Sequence, residues 1–432
     1  MIKEIRMVCI TETNSNKYYN FIIDDGSNDN SNYTAKYGRV GGTETVITVD
    51  GVKKPWKKIR SEKEKKGYKD VTDLFLIDGE FSEGDEVSEK KETKLSKDFM
   101  DNRPSAVIEI VKRLQAYANK SIEENYTVTA AKVTQKQVVR AQELLSKLAV
   151  DGFDINKLKE INTELLELYH IIPRKMTYVP DFLINEKLTA TEAEEKFSKI
   201  MSTEQDTLDV MAGQVLTLAE QDKQDKSLDT NKDAFIDIIE AAGLEIEPVT
   251  DKATIDLIKS KMQGKSSMFK HAFKVVNRAT QKKYDNHMAK ATNKYTELYW
   301  HGSRSENWWS IIGSGLLIRP SGAHYSGSMF GDGIYGASEY DKSLGYTSIS
   351  GSRWSGGNKP NAFLALFEFH LGKQYKITSS DSSLSKKKLK DKGDYDSTWG
   401  MKGSSLYRDE FIVYDSAQCT IKYLIEVEGS QY

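Results

Sequence analysis

Between residues 101 and 240 the apolar positions recur at helical spacing. Pro104 stands where a first helical turn tolerates it, and Val107, Ile110, Val111, Leu114 and Tyr117 follow on one face. Thr134 with Gln137 forms a capping-box pattern ahead of Val138, Ala141, Leu145 and Leu148. A third stripe begins near Asp154, carries Leu158, Ile161, Leu165 and Leu168, and stops at Pro173. Further helical patterns run through EAEEKFSKIMSTEQDTLDVMAG and KDAFIDIIEAAG. The spacing predicts an all-α bundle, and by itself it says no more than that these stripes are core.

On either side the pattern changes. Residues 1–85 read as strands joined by polar loops: KYYNFIID is rich in aromatic and β-branched residues, DDGSNDNSN is a loop, and YTAKYGRVGGTETVITVDG is a glycine turn between two strands. The charged, apolar-poor stretch before the bundle, placed at 86–100, reads as a linker. After Gly243, GLEIEPVTDKATIDLIKSKM predicts a strand, a proline turn and an amphipathic helix, and KHAFKVVNRATQKKYDNHM adds a strand and a basic helix. NAFLALFEFHLGKQYKI predicts one long strand with alternating faces. His170 and His370, at element ends, read as structural. SSDSSLSKKKLKDKGDYDST reads as a solvated, basic loop.

At 432 residues the chain is too long for one core and points to several domains. No apolar run approaches the roughly 20 residues of a membrane span, and the N-terminus lacks a signal-peptide core. The only cysteines, Cys9 and Cys419, and six scattered histidines lead us to expect no metal. The net charge of −2 gives no global sign of nucleic acid, so any basic surface is local. One such run exists: from Lys53 to Lys69 nine Lys or Arg face two Glu. Trp56 and Tyr68 within it read as anchors to a core.

Candidate chemistry concentrates between Tyr299 and Tyr346 and near the C-terminus. YWHGSR supplies His301, Gly302 and Ser303; MFGDGIYGASEYDKSLGYTS supplies Tyr335, Ser343 and Tyr346; YRDEFIVYD places Glu410 before an apolar strand. A glycine after a histidine lets backbone approach a planar ligand closely. Two tyrosines eleven apart can hold an aromatic ring between them. A lone carboxylate can hold a ribose hydroxyl while charge develops on the sugar. Each piece alone has a bland reading: a turn histidine, strand core, a solvated glutamate.

In order, His301, GDGIYG, KSLGYTS and DEFIVYD resemble the catalytic domain of the poly(ADP-ribose) polymerase family. The resemblance implies a His-Tyr-Glu triad at His301, Tyr335 and Glu410. It implies that Gly302 and Ser343 grip the nicotinamide carboxamide, that Tyr346 stacks on the ring, and that His301 and Ser303 hold the adenine-side ribose with Asn307 nearby. Two departures stand out: Leu317 occupies the position where the family often has Arg, the arginine coming at Arg319, and Gly336 follows the GIY where a bulky Phe is common. The second departure predicts looser packing behind Tyr335.

KYGRVGG resembles the signature of WGR domains with Tyr37 in place of Trp, and LLELYHIIPRKM resembles the helical regulatory domain that precedes the polymerase catalytic domain. The implied organisation is a multidomain chain of the short DNA-dependent type: an α+β WGR-like domain at 1–85, an all-α bundle at 101–240 and an α+β ADP-ribosyltransferase fold at 243–432. Arg39 on its glycine turn can present a planar fork to phosphate, and Tyr37, Lys53, Lys54, Lys57 and Lys58 would add to a DNA contact. No recognition helix is evident, so ends or nicks in DNA are the expected target, not base sequence. In the family the bundle covers the NAD+ site until DNA loosens it; a restraint of about 3 kcal/mol would leave about one per cent open.

The implied activity is a DNA-break-activated transfer of ADP-ribose from NAD+, the substrate, to acceptor proteins including the chain itself, with Glu410 favouring polymer growth. Alternatives stay open: a mono-ADP-ribosyltransferase acting on protein or DNA ends, a non-catalytic DNA-binding scaffold, or an NAD+ hydrolase. We expect no membrane partner, a monomer, and a nuclear location in a eukaryote or a cytoplasmic one in a bacterium or phage.

Overall fold

A computed structural model describes residues 2–75, 103–227, 238–318, 329–349 and 360–429. The expected linker at 86–100 and Arg319 lie outside them. No described helix is long and apolar enough to cross a membrane. The chain divides into two compact units, Met1–Lys94 with Ser121–Val215, and Leu95–Lys120 with Leu216–Tyr432. The first unit groups the N-terminal strands with most of the helical region.

The first unit holds an antiparallel sheet of β1 (Lys3–Ile10), β2 (Asn16–Ile23), β3 (Tyr33–Arg39), β4 (Thr45–Val49) and β5 (Lys69–Asp70), in the order β4-β3-β2-β1-β5. Helix α1 (Trp56–Lys65) is pinned by Trp56, which is buried with Phe21, Ile23 and Tyr33 and donates its indole N–H to Asn28 O at 3.0 Å. Tyr68 packs on the same cluster, so both aromatics of the basic run are anchors, as expected.

The helical region follows the apolar stripes. Helices α2 (Ser105–Asn125), α3 (Gln135–Asp151), α4 (Leu158–Ile171), α5 (Ala190–Ser227) and the short α6 (Ile238–Ala241) appear in sequence. The Thr134 capping box is formed: Thr134 Oγ1 accepts from Gln137 N–H, and Gln137 Oε1 accepts from Thr134 N–H at 2.9 Å. Within the first unit, buried polar contacts join strands to helices. Ile10 N–H donates to His170 Nε2 at 3.1 Å while His170 Nδ1–H donates to Leu166 O, and Thr134 Oγ1 donates to Leu74 O at 2.6 Å. His170 is structural, as expected. Arg174 Nη2 pairs with Glu204 Oε1 at 3.0 Å, both buried.

The second unit is α+β. After β6 (Leu244–Pro248) come α7 (Lys252–Lys261), β7 (Phe269–Asn277), α8 (Arg278–Lys290), β8 (Thr296–Gly302) and α9 (Trp308–Ser314). Then follow β9 (Ile334–Gly336), α10 (Tyr340–Leu344), β10 (Asn361–His370), β11 (Gln374–Ile377), α11 (Lys386–Gly393), β12 (Ser397–Gly400), β13 (Glu410–Val413) and β14 (Cys419–Glu428). They build two sheets, β6-β7-β14-β10-β8 and β11-β12-β13-β9. A bridge joins them where Trp300 N–H donates to Ala337 O at 2.9 Å and Ala337 N–H to Trp300 O at 3.0 Å. Residues 105–120 of α2 belong to this unit, and Arg113 Nη2 reaches Glu426 Oε1 on β14 at 2.8 Å.

Three expectations are corrected. NAFLALFEFH does not alternate in burial: β10 lies between β14 and β8 and is buried almost throughout, as a strand covered on both faces must be. The strand also ends at His370, and KQYKI begins another sheet. The lysine-rich stretch is not all loop, because Ser385 caps α11 and Leu384 and Leu389 are buried with Phe330, Ile412 and Tyr414. Nor is packing loose behind Tyr335. A Cβ on Gly336 would stand 2.8 Å from Phe369 Cζ and 2.9 Å from Tyr299 Cβ, so those rings fill the space a phenylalanine would take.

Candidate active site

The bridge between the sheets sets the end of β8 against β9. His301, the penultimate residue of β8, places Nδ1 3.3 Å from Tyr335 O. Donation from Nδ1–H leaves Nε2 as the acceptor. Phe367 and Trp308 present ring edges to the imidazole at 6.0 and 6.3 Å. This surround holds the His301 pKa below the ordinary histidine value, chiefly by desolvation, and keeps the ring neutral.

Gly302 has no room for a side chain. A Cβ there would lie 1.9 Å from Ser343 O, so the strand end and α10 touch backbone to backbone. Ser343 is buried, and its carbonyl accepts from Tyr346 N–H at 3.1 Å. Gly302, Ser343 and Tyr346 are therefore brought together by one close approach that only glycine permits.

Tyr335 is held by its hydroxyl, which donates to Gly331 O at 2.7 Å and accepts from Phe330 N–H at 3.1 Å. Burial pushes its pKa well up, so it remains a phenol. Tyr346 is 41% exposed, a ring with an open face. Its pKa is also raised, by burial first and then by the charge of Glu410.

Glu410 opens β13, whose Ile412 is opposite Tyr335 on β9. It is only 7% exposed. Lys342 Nζ sits 2.5 Å from Oε1, whereas Oε2 is buried without a hydrogen-bond partner among the described residues. An unsatisfied buried carboxylate oxygen is costly and invites a hydroxyl donor. Asn307 Nδ2 donates to Ser303 Oγ at 3.0 Å, and Asn307 Oδ1 is a second buried acceptor without a partner among the described residues.

Thus His301, Gly302, Tyr335, Ser343, Tyr346 and Glu410 share one region, with Ser303 and Asn307 adjoining it. Lys342 is a site residue that motif reading missed; its one signal was its place immediately before Ser343. Leu317, at the departure from the arginine pattern, is 53% exposed.

In the first unit Tyr37 is stacked on Tyr19 at 5.3 Å. Lys53, Lys54, Lys57 and Lys58 are exposed, with Lys57 Nζ paired to Asp29 at 2.6 Å and Lys53 Nζ 3.6 Å from Asp50. The Arg39 guanidinium, read from the sequence as a fork for phosphate, is half-buried and hydrogen-bonded within its unit. It donates to Asn14 O and Oδ1, each at 3.1 Å, and to Thr177 O at 3.0 Å.

Comparison with known proteins agrees with the second unit's geometry. Residues 253–429 match the poly(ADP-ribose) polymerase catalytic domain. An uncharacterised protein, 101L, of Invertebrate iridescent virus 6 is 31% identical over 213 residues, 49% of this chain and 76% of that protein. A putative poly(ADP-ribose) polymerase-like protein of the same virus, 100L, is 29% identical over 179 residues, 40% of this chain and 93% of that protein. Poly(ADP-ribose) polymerase 1 of Arabidopsis thaliana is 33% identical over 169 residues, 34% of this chain but 16% of that enzyme.

The C-terminal domain is that of an NAD+ ADP-ribosyltransferase, with NAD+ as substrate. Residues 253–429 form a poly(ADP-ribose) polymerase catalytic domain, similar to the catalytic regions of the plant and animal polymerases and to the viral polymerase-like protein.

Proposed function

We propose that the chain is a polymer-forming ADP-ribosyltransferase, activated by DNA breaks, that modifies proteins including itself. The observation that carries the catalytic part is Glu410: buried, fixed at Oε1 by Lys342, and with Oε2 free for a donor. In this reading the ribose 2′-hydroxyl of NAD+ donates to Oε2. Nicotinamide lies against the open face of Tyr346 with Tyr335 beyond it, its carboxamide on the Gly302 backbone and Ser343 hydroxyl. His301 Nε2 and Ser303 take the adenine-side ribose, and Asn307 Oδ1 supplies a further acceptor.

As the glycosidic bond breaks, its electron pair leaves with nicotinamide and positive charge spreads over the ribose. A carboxylate already in place stabilises that charge in the transition state. An acceptor oxygen then attacks the anomeric carbon, and the proton of an acceptor hydroxyl passes to the surrounding water. A protein side chain serves at initiation, an ADP-ribose hydroxyl during growth.

The DNA part is supported by the exposed lysines of the first unit, whose attraction for phosphate is independent of sequence and weakens with salt. Arg39 Nη1 and Nη2 donate to Asn14 and Thr177 within its own unit, which leaves the lysines as the main support. The test is purified protein with labelled NAD+, with and without nicked DNA, resolved by size. Long products that increase with DNA support the reading; single increments assign mono-transfer, and free ADP-ribose alone assigns hydrolysis.

A further inference from the structure

Although the chain is net negative, the seven residues 386–392 carry five lysines against one aspartate. They lie in α11, which packs through Leu389, with Leu384 just before its cap, on Phe330, Ile412 and Tyr414, with Tyr335 at the edge of the same cluster. The helix therefore packs on the strand that carries Glu410, against Ile412, two residues along and on the same face. Around it three lysines are set over aromatic rings. Lys392 Nζ is 5.2 Å from the Tyr375 ring centre, Lys373 Nζ 4.7 Å from that of Tyr395, and Lys376 Nζ 4.7 Å from that of Trp399. Tyr375 and Tyr395 themselves lie 5.3 Å apart.

Some of this charge is compensated. Lys386 pairs with Asp415 at 2.5 Å and Lys390 with Asp394 at 3.0 Å; Asp381 lies within the influence of Lys388 and Lys392. Lys387, Lys388 and Lys392 are exposed and carry no ion pair among the described residues. Cation–π contacts hold lysine stems that would otherwise wander, so less rotamer entropy remains to be lost when an anion binds. With lysines already over the rings, the aromatic faces are not open to stacked bases. What the surface offers is an array of ammonium groups for phosphates.

We propose that α11 and the edge strand β11 form a docking surface for an ADP-ribose chain, gripped through its pyrophosphates. β11 is two strands from β13 in the sheet, about 10 Å at the usual strand spacing, so the surface borders the site where such a chain would be made. A polyphosphate produced at Glu410 has this lysine array beside it, and holding the product there favours repeated addition. The inference draws on the polymer reading for the source of its ligand.

The test uses the full-length protein and purified poly(ADP-ribose) added from outside, without NAD+. Charge reversal at Lys387, Lys388 and Lys392 together is compared with reversal at Lys282, Lys283 and Lys290 on α8, and Lys→Gln versions of both guard against misfolding. At moderate salt the α11 variant should bind the polymer about tenfold or more weakly, with a reduced salt slope, and the α8 variant should lose much less. Equal losses in the two variants, or none, overturn the proposal. Loss of duplex DNA binding without loss of polymer binding assigns the surface to nucleic acid and overturns it too. If wild type binds added polymer through α11 yet makes none from NAD+, the surface stands and the polymer-forming reading falls.

Discussion

Lys342 Nζ lies 2.5 Å from Glu410 Oε1, joining a helix and a strand that are far apart in sequence. The pair is nearly buried, with the lysine side chain 15% and the glutamate side chain 9% exposed. Such a pair holds its partner in place, and breaking it leaves a charge uncompensated. Lys342→Met should therefore lower kcat for ADP-ribose transfer by about a hundredfold, the order expected for a displaced catalytic group, with a smaller change in KM for NAD+. Steady-state kinetics decide this. A KM change alone would mean that Lys342 contacts the substrate and does not position Glu410.

Gly302→Ala inserts a methyl where Ser343 O stands 1.9 Å away. Strand end and α10 must part, at a cost of about 1–3 kcal/mol for overpacking. Thermal unfolding should move down and binding of a nicotinamide analogue should be lost. Ser343→Ala leaves the backbone contact in place and should weaken the analogue without lowering the melting temperature.

His170 makes the first unit sensitive to acid. Burial, outweighing the Leu166 carbonyl, lowers its pKa to about 4, against 6.5 for a free histidine. A group depressed in the folded state contributes stability that is fully present above pH 6.5 and is lost as pH falls from there towards 4. Protonating Nε2 also removes the acceptor for Ile10 N–H. The protection factor for hydrogen exchange at Ile10, corrected for the intrinsic pH dependence of exchange, should fall across that window. In His170→Gln that part of the pH dependence should vanish; an unchanged profile would exclude this histidine as the cause.

Arg113 is the main partner of Glu426, whose side chain is 2% exposed, with Lys270 Nζ farther away at 3.6 Å. Arg113→Ala strands that carboxylate and should cost about 3 kcal/mol. The double variant Arg113→Leu with Glu426→Gln should recover part of the loss in a melting experiment.

Legibility followed the strength of local signals. The Thr134–Gln137 box and the stripes of α2 to α4 were readable because capping and a 3.6-residue period are local rules. The site motifs were readable because His301, Tyr335, Ser343, Tyr346 and Glu410 stand in a recognisable order. Lys342 was hidden because nothing local ties it to Glu410. Helix α11 was hidden because its two anchors, Leu384 and Leu389, stand alone among lysines and serines. β10 misled because burial on both faces erases the alternation that marks a half-exposed strand. Gly336 misled because the missing bulk is supplied by Phe369 and Tyr299, from elsewhere in the chain.

The most direct measurement is the size distribution of products from labelled NAD+ made by wild type and by Glu410→Gln, with binding of a nicotinamide analogue measured on both proteins. The buried, half-satisfied carboxylate predicts long products from wild type, loss of chain growth in Glu410→Gln, and similar analogue affinity in the two. Equal chain lengths from both proteins would contradict the assignment of Glu410 as the residue that holds the ribose and directs the acceptor.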